Sequence, residues 1–391
     1  MKQPRRSALA IIFTIVVIDL IGFGIVIPVL PLYAERFGAS PLTIGCLLGV
    51  YSAMQAIFAP ILGKLSDRFG RRPVLFLSLL GTASGFVLMG LANSLPLLFL
   101  ARIIDGMTGG NISTAQAYIA DVTPPEQRSR GMGLIGAAFG LGFIIGPAVG
   151  GLLSRISLQA PFLFAAALAL TNAVALVFLL PESLTPEARA ARRRGPAEAT
   201  PIGEQEKKRL FRIMATYFIA TTSFSLLTAT YALFTARRFG LAAEQNGYIF
   251  AGQGLLGALV QGVLLGWLIK RFQDKWLVLA GAFALALGLF ALPLSTAVPL
   301  LCVATACIGV GHGLMASPLN GLASKVVGPD KQGHVLGVLQ STASMARIVG
   351  PVLGGALLQA DHALGHAAFG RTAYWTAAGL IIVAIGLARE L

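Results

Sequence analysis

Apolar runs of about 20 residues recur along almost the whole chain, separated by short polar breaks. A run of that length, helical at about 1.5 Å per residue, matches the hydrocarbon thickness of a bilayer. Inside lipid every backbone amide must be satisfied internally, which leaves only helices and closed barrels. The runs are continuous rather than alternating, which points to helices rather than a barrel. The expectation is an all-α polytopic membrane protein. Twelve spans are expected near 7–32, 42–62, 74–93, 96–120, 130–153, 159–180, 210–235, 245–269, 276–293, 298–324, 333–358 and 371–388.

Composition agrees. Of 391 residues, 56% are hydrophobic and 12% charged, against roughly 25% charged in soluble domains. Mean hydropathy is +0.78. The net charge of +14 suggests nucleic acid at first sight. The basic residues, however, fall mostly in loops on one side, as membrane topology requires. About 23 Lys and Arg lie at the termini, in the even-to-odd loops and in the segment between halves, against about five on the other side. Both termini are therefore expected in the cytoplasm, and no nucleic-acid partner is expected. The first apolar run is too long for a signal h-region and reads as a retained span. Cys46, Cys302 and Cys307 sit in apolar runs without metal-ligand spacing and read as packing residues.

The chain carries an internal repeat. Gly63-Lys-Leu-Ser-Asp67-Arg68-Phe69-Gly70-Arg71-Arg72-Pro73 is a charged island between two apolar runs, read as a tight loop. A degenerate copy, Gly266 to Lys275, follows 203 positions later. Pro125-Glu126-Gln127 matches Pro329-Asp330-Lys331, and Gly146-Pro147 with Gly150-Gly151 matches Gly350-Pro351 with Gly354-Gly355, both at offset 204. Six spans per copy make the copies parallel, related by a pseudo-two-fold along the membrane normal, the architecture of two-lobed secondary transporters. The expected domains are 1–180 and 210–391, two six-helix bundles. The Pro-, Glu- and Arg-rich segment 181–209 is the cytoplasmic linker and includes Arg192-Arg193-Arg194.

Four stretches in order resemble the motifs of the major facilitator superfamily. They are residues 63–73 between spans two and three, Arg102-Ile-Ile-Asp105-Gly106 in span four, and Gly142 to Gly151 in span five. The fourth is the first span around Asp19, from Ile18 to Pro31. That first span and Ala117-Tyr118-Ile119-Ala120-Asp121 are similar to bacterial drug/proton antiporters, particularly tetracycline exporters. The resemblance implies rocker-switch exchange of protons for small amphipathic compounds, by a monomer in the cell membrane, without a cofactor. Tetracycline exporters carry further acids in spans three and nine; here those spans have none. The family's span-four motif usually has an amide where Asp105 stands. The same fold also carries defined metabolites, organic anions and lipid-like solutes. A non-transporting receptor or sensor is the reading of another class. No P-loop and no nucleophile–base or metal constellation is present, so neither ATP use nor catalysis is expected.

An acid in mid-span is costly unless it faces a polar cavity, which makes Asp19 a functional candidate. Arg102 and Asp105 lie three apart on one helical face. Arg102 is expected to approach Asp19 across the cavity and to tune Asp19 or Asp105, coupling proton release to substrate binding; the plainer alternative is an Arg102–Asp105 ion pair that only permits insertion. Asp105 and His312 are further proton-coupling candidates. The substrate cavity is expected to draw on Asp19, Phe23, Asn111, Gln116, Tyr118, Phe224, Tyr231, Gln253, Asn320 and Arg347. Gly63, Asp67, Arg68, Gly70, Arg71 and Asp121 are assigned to a conformational lock. Arg71 or Arg68 would pair with Asp121, and Asp67 would face the start of span eleven. Gly142, Gly146, Pro147, Gly150, Gly151, Gly350 and Pro351 are assigned to close helix packing against the opposite half.

Overall fold

A computed structural model of the chain describes residues 4–123, 128–184, 203–327, 332–361 and 368–391. The correspondence of Pro125 with Pro329 and the Arg192–Arg194 run lie outside the described residues. Every regular element among the described residues is helical. The elements are α1 Pro4–Glu35, α2 Pro41–Phe69, α3 Arg71–Gly90, α4 Leu95–Thr108, α5 Asn111–Val122, α6 Arg128–Leu153 and α7 Ala160–Leu179. They continue with α8 Glu204–Phe239, α9 Ala243–Arg271, α10 Asp274–Leu294, α11 Val298–Val326, α12 Gln332–Asp361 and α13 Arg371–Ala388. Eleven of these helices are long and apolar enough to cross a membrane.

The twelfth expected span is present but broken. Where one helix was expected near 96–120, α4 and α5 meet at Gly109 and Gly110. A Cβ on Gly109 would lie 2.7 Å from the Tyr51 hydroxyl, and one on Gly110 would lie 2.8 Å from Ala59 Cα. Only glycine admits α2 that close. The break frees the Gly109 carbonyl, which accepts a hydrogen bond from Gln55 Nε2 at 2.7 Å. An orphaned carbonyl in lipid is thereby satisfied.

The charged island is also not the loop expected. α2 stays helical to Phe69 and α3 begins at Arg71, so Gly63 lies inside a helix with open space beside it. Gly70 is the one non-helical residue, at φ 109°, a conformation glycine adopts without steric cost. Lys64 and Arg68 are good helix formers and extend the helix rather than interrupt it, and Asp67, a poorer one, is held by its ion pair with Arg71.

Contacts divide the chain into two units, Met1–Phe37 with Val50–Glu198, and Gly38–Gly49 with Ala199–Leu391. In the first, the small residues of α6 form a flat strip against α1. A Cβ on Gly146 would lie 2.7 Å from Gly24 Cα, and one on Gly142 or Gly150 would collide with Leu20 or Ile25. Gly151 follows at the end of the strip, its carbonyl accepting from Ser154 Oγ at 2.6 Å. α6 continues through Pro147 without a break. The expectation that this strip serves the opposite half is corrected: α1 of its own unit takes it up, because two helices in lipid associate closely only where both backbones are bare. In the second unit Gly350 is likewise met by Thr222 and Ser225 of α8, while the Pro351 backbone lies against Gly45. Leu42 N–H donates to Gln359 Oε1 at 3.3 Å in the same unit.

Candidate functional site

Two polar clusters interrupt the apolar packing of the first unit. One sits where α2 meets α3. Arg71 is 1% exposed and its guanidinium is shared among three partners. It reaches Asp67 Oδ1 at 2.6 Å and Asp121 Oδ2 at 3.1 Å, and it donates to Ser66 Oγ. Desolvating a guanidinium is costly unless its donors are used, and these are. The carboxylate of Glu182 accepts from the backbone N–H of Arg71 at 2.9 Å and of Arg72 at 3.1 Å. A carboxylate there satisfies two free amides and opposes the helix dipole. Ser183 Oγ donates to Asp121 Oδ2 at 3.0 Å, and the Tyr118 hydroxyl donates to the Pro181 carbonyl at 2.9 Å.

Of the residues expected in the lock, Gly70, Arg71, Asp67 and Asp121 come together here. Arg68 does not; its guanidinium lies 5.2 Å over the Phe69 ring, because the helix turns it to the outer face. Tyr118 was expected in the substrate cavity but is buried in the core and ties α5 to the end of α7. Ser66, Glu182 and Ser183 were missed. In sequence Pro181-Glu182-Ser183 reads as the start of the linker, and a single acid there carries no signal without the fold.

The second cluster lies deep between α1, α2, α3 and α4. Asp19 stands at the middle of α1. It shares a small cavity with Asn111, lined otherwise by Ile15, Val16, Leu75, Leu79, Ile112 and Ala115. Asn111 opens α5 just after the glycine break, and its Oδ1 is buried without a hydrogen bond. Among the described residues Asp19 has no ion pair.

Arg102 does not reach Asp19, contrary to expectation. Arg102 and Asp105 are 2% and 4% exposed, and Nη1 meets Asp105 Oδ2 at 2.8 Å. The guanidinium also lies 4.1 Å over the Tyr51 ring, a cation–π contact. The reason is local geometry. A carboxylate three residues along one helix is always within reach, whereas one across the bundle is not. Arg102 Nε is left without a partner. Phe23 packs on Tyr51 and Phe143 with ring centroids at 5.7 and 6.1 Å, one turn beyond Asp19. Gln116 is half-buried in α5. The site thus holds two carboxylates, one neutralised by an arginine and one not.

The remaining expected positions lie in the second unit. Phe224 of α8 stacks on His312 of α11, centroids 4.0 Å apart and planes at 12°. Tyr231 is fully buried and shares a hydrogen bond with Thr305 Oγ1 at 2.9 Å, which makes it part of the α8–α11 packing. Asn320 donates back to the Ala316 carbonyl of its own helix at 2.8 Å. Arg347 donates to Ser344 Oγ at 3.1 Å. Gln253 is buried against Gly309. The structure therefore places the acid among the expected cavity residues, Asp19, in the first unit, and Arg347 as the one charged member of the expected set in the second.

A bundle of apolar helices, repeated in sequence and holding acids in mid-span, is the fold of a polytopic membrane transporter. The family model for the Major Facilitator Superfamily matches residues 12–216 and 213–389. The chain is 36% identical over 363 residues to the class C tetracycline resistance protein of Escherichia coli, covering 90% of this chain and 89% of that one. It is 29% identical over 363 residues to multidrug resistance protein 2 of Bacillus subtilis, covering 91% and 90%. A bacterial homologue of the human lysosomal transporter Spinster, solved inward-facing and occupied, superposes with TM-score 0.83 at 17% identity, covering 100% and 97%. The chain belongs to the Major Facilitator Superfamily, and its fold is that of the superfamily's transporters.

Proposed function

We propose that the chain is a drug exporter that exchanges protons for small amphipathic compounds by rocker-switch alternating access. The observation that carries this is the state of Asp19. It is an acid at mid-helix, without an ion pair, beside a cavity and an unpartnered Asn111 oxygen. Such a group can gain and lose a proton without breaking a salt bridge. A carboxylate already matched to a guanidinium cannot, so Asp19 is the proton carrier and the Arg102–Asp105 pair fixes the electrostatic background against which it works. The resistance proteins that the chain is similar to support efflux of drugs as the direction and substrate class.

The Arg71 cluster is the lock of this cycle. One buried guanidinium joins the ends of α2, α3 and α5, and the segment after α7 closes on the same cluster through Glu182 and Ser183. The asymmetric Lys and Arg distribution supports a cell-membrane location with both termini cytoplasmic. A monomer is the working unit.

The test is transport by the purified chain in proteoliposomes. An imposed pH gradient should drive tetracycline uphill, and dissipating the gradient with a protonophore should abolish accumulation. Accumulation indifferent to the gradient would sink the proton-coupled reading.

A further inference from the structure

The second unit holds a polar group that the proton-exchange account does not use. Gln253 is 6% exposed, and its Nε2 has no hydrogen-bond partner. The Nδ1 of His312 is also buried and unpartnered. Gln253 lies directly on Gly309, where an added Cβ would stand 2.8 Å from its Cγ. His312 is one turn further along the same helix. Its ring stacks on Phe224, and both rings are only half-buried, so the stack is not closed over.

Packing alone does not account for this arrangement. A buried amide donor and a buried ring nitrogen without partners each cost free energy that an apolar side chain of the same size would avoid. Two such groups beside an aromatic platform make sense if a ligand completes them. The internal repeat gives the contrast. Gly106 meets the backbone of Tyr51 in the first unit much as Gly309 meets Gln253 in the second. At the repeat offset of 203, Arg102 and Asp105 correspond to Thr305 and Ile308. The charged pair of one unit is thus replaced at these two positions by uncharged residues in the other.

We propose that Phe224, Gln253 and His312 form a neutral recognition subsite in the second unit for planar aromatic compounds bearing hydroxyl or carbonyl oxygens. The ligand's ring extends the Phe224–His312 stack. One oxygen accepts from Gln253 Nε2, and another pairs with His312 Nδ1. This rests on the exporter reading and narrows it: Asp19 of the first unit moves protons, and the second unit selects for flat, oxygenated ligands.

The test is binding to the purified full-length chain in detergent, followed by tryptophan fluorescence, with two probes. Tetracycline is flat and oxygen-rich; tetraphenylphosphonium is neither. His312→Phe keeps the stack and removes the nitrogens, and Gln253→Leu removes the amide. Each should weaken tetracycline binding about five- to tenfold and leave tetraphenylphosphonium binding and the melting temperature unchanged. His312→Gln, which retains a hydrogen-bonding group, should bind tetracycline more tightly than His312→Phe, and it carries the test should His312→Phe fail to fold. Unchanged tetracycline affinity in these variants would overturn the subsite. Equal weakening of both probes would also overturn it, as a general distortion. Wild-type protein that binds neither probe would instead count against the exporter reading on which the subsite stands.

Discussion

Arg102 shows how a single residue decides the character of the buried site. Its partner is Asp105, and its guanidinium is capped by the Tyr51 ring. Removing one member of a buried pair strands the other, typically at about 3–5 kcal/mol. Arg102→Ala should therefore lower the melting temperature in detergent sharply, whereas the double variant Arg102→Met/Asp105→Leu should recover most of the loss. Equal instability in both would mean that the pair is not what makes Arg102 important. Asp19→Asn breaks no ion pair and should melt within a degree or two of wild type. The candidacy of Asp19, Arg102 and Asp105 was legible in the sequence, because acids and bases stand out in an apolar run. The local Arg102–Asp105 pair is one of the two readings the three-residue spacing offers, and the structure selects it over an approach of Arg102 to Asp19. Glu182 and Ser183 were illegible, since nothing in a short polar tail says that it folds back onto a helix start.

Elements depend on where the backbone is bare. The α1–α6 contact rests on Gly24 and Gly146, so Gly146→Leu should prevent close packing and cost at least the ~1–3 kcal/mol of an overpacked core, read as a drop in melting temperature and folded yield. A wild-type melting temperature would contradict the contact. At the α2–α3 junction the two units offer a comparison. Arg71 on α3 pairs with Asp121 on α5, and Asp274 on α10 pairs with Lys325 on α11 at 2.5 Å, with the charges exchanged. The first pair is buried; Lys325 is 66% exposed, and exposed pairs contribute little. Asp121→Ala should therefore impair transport and stability, while Lys325→Ala should leave both near wild type. Similar losses in the two variants would show that burial does not separate them. The helices themselves were legible because apolar run length is a physical requirement of the bilayer. The break at Gly109-Gly110 was not, since a glycine pair inside an apolar run reads equally as helix packing, and only the approach of α2 requires the interruption. The island at 63–73 was overread as a loop because charge density marks the membrane surface without ending a helix.

At the scale of the molecule, topology and coupling are the two claims that join the parts. In a background without the native cysteines, Asn93→Cys and Ala297→Cys should react with an impermeant thiol reagent from outside the cell, and Lys64→Cys and Gln273→Cys should not. The reverse pattern would place the Arg71 cluster on the outer side and remove its role as a cytoplasmic lock. The central claim is that Asp19 carries the proton. The direct measurement compares wild type and Asp19→Asn in liposomes, following tetracycline accumulation under an imposed pH gradient alongside gradient-free exchange of labelled for unlabelled tetracycline. The account predicts that Asp19→Asn retains exchange and loses uphill accumulation. Accumulation at the wild-type rate would contradict it and would leave Asp105 as the proton-carrying acid of the first unit.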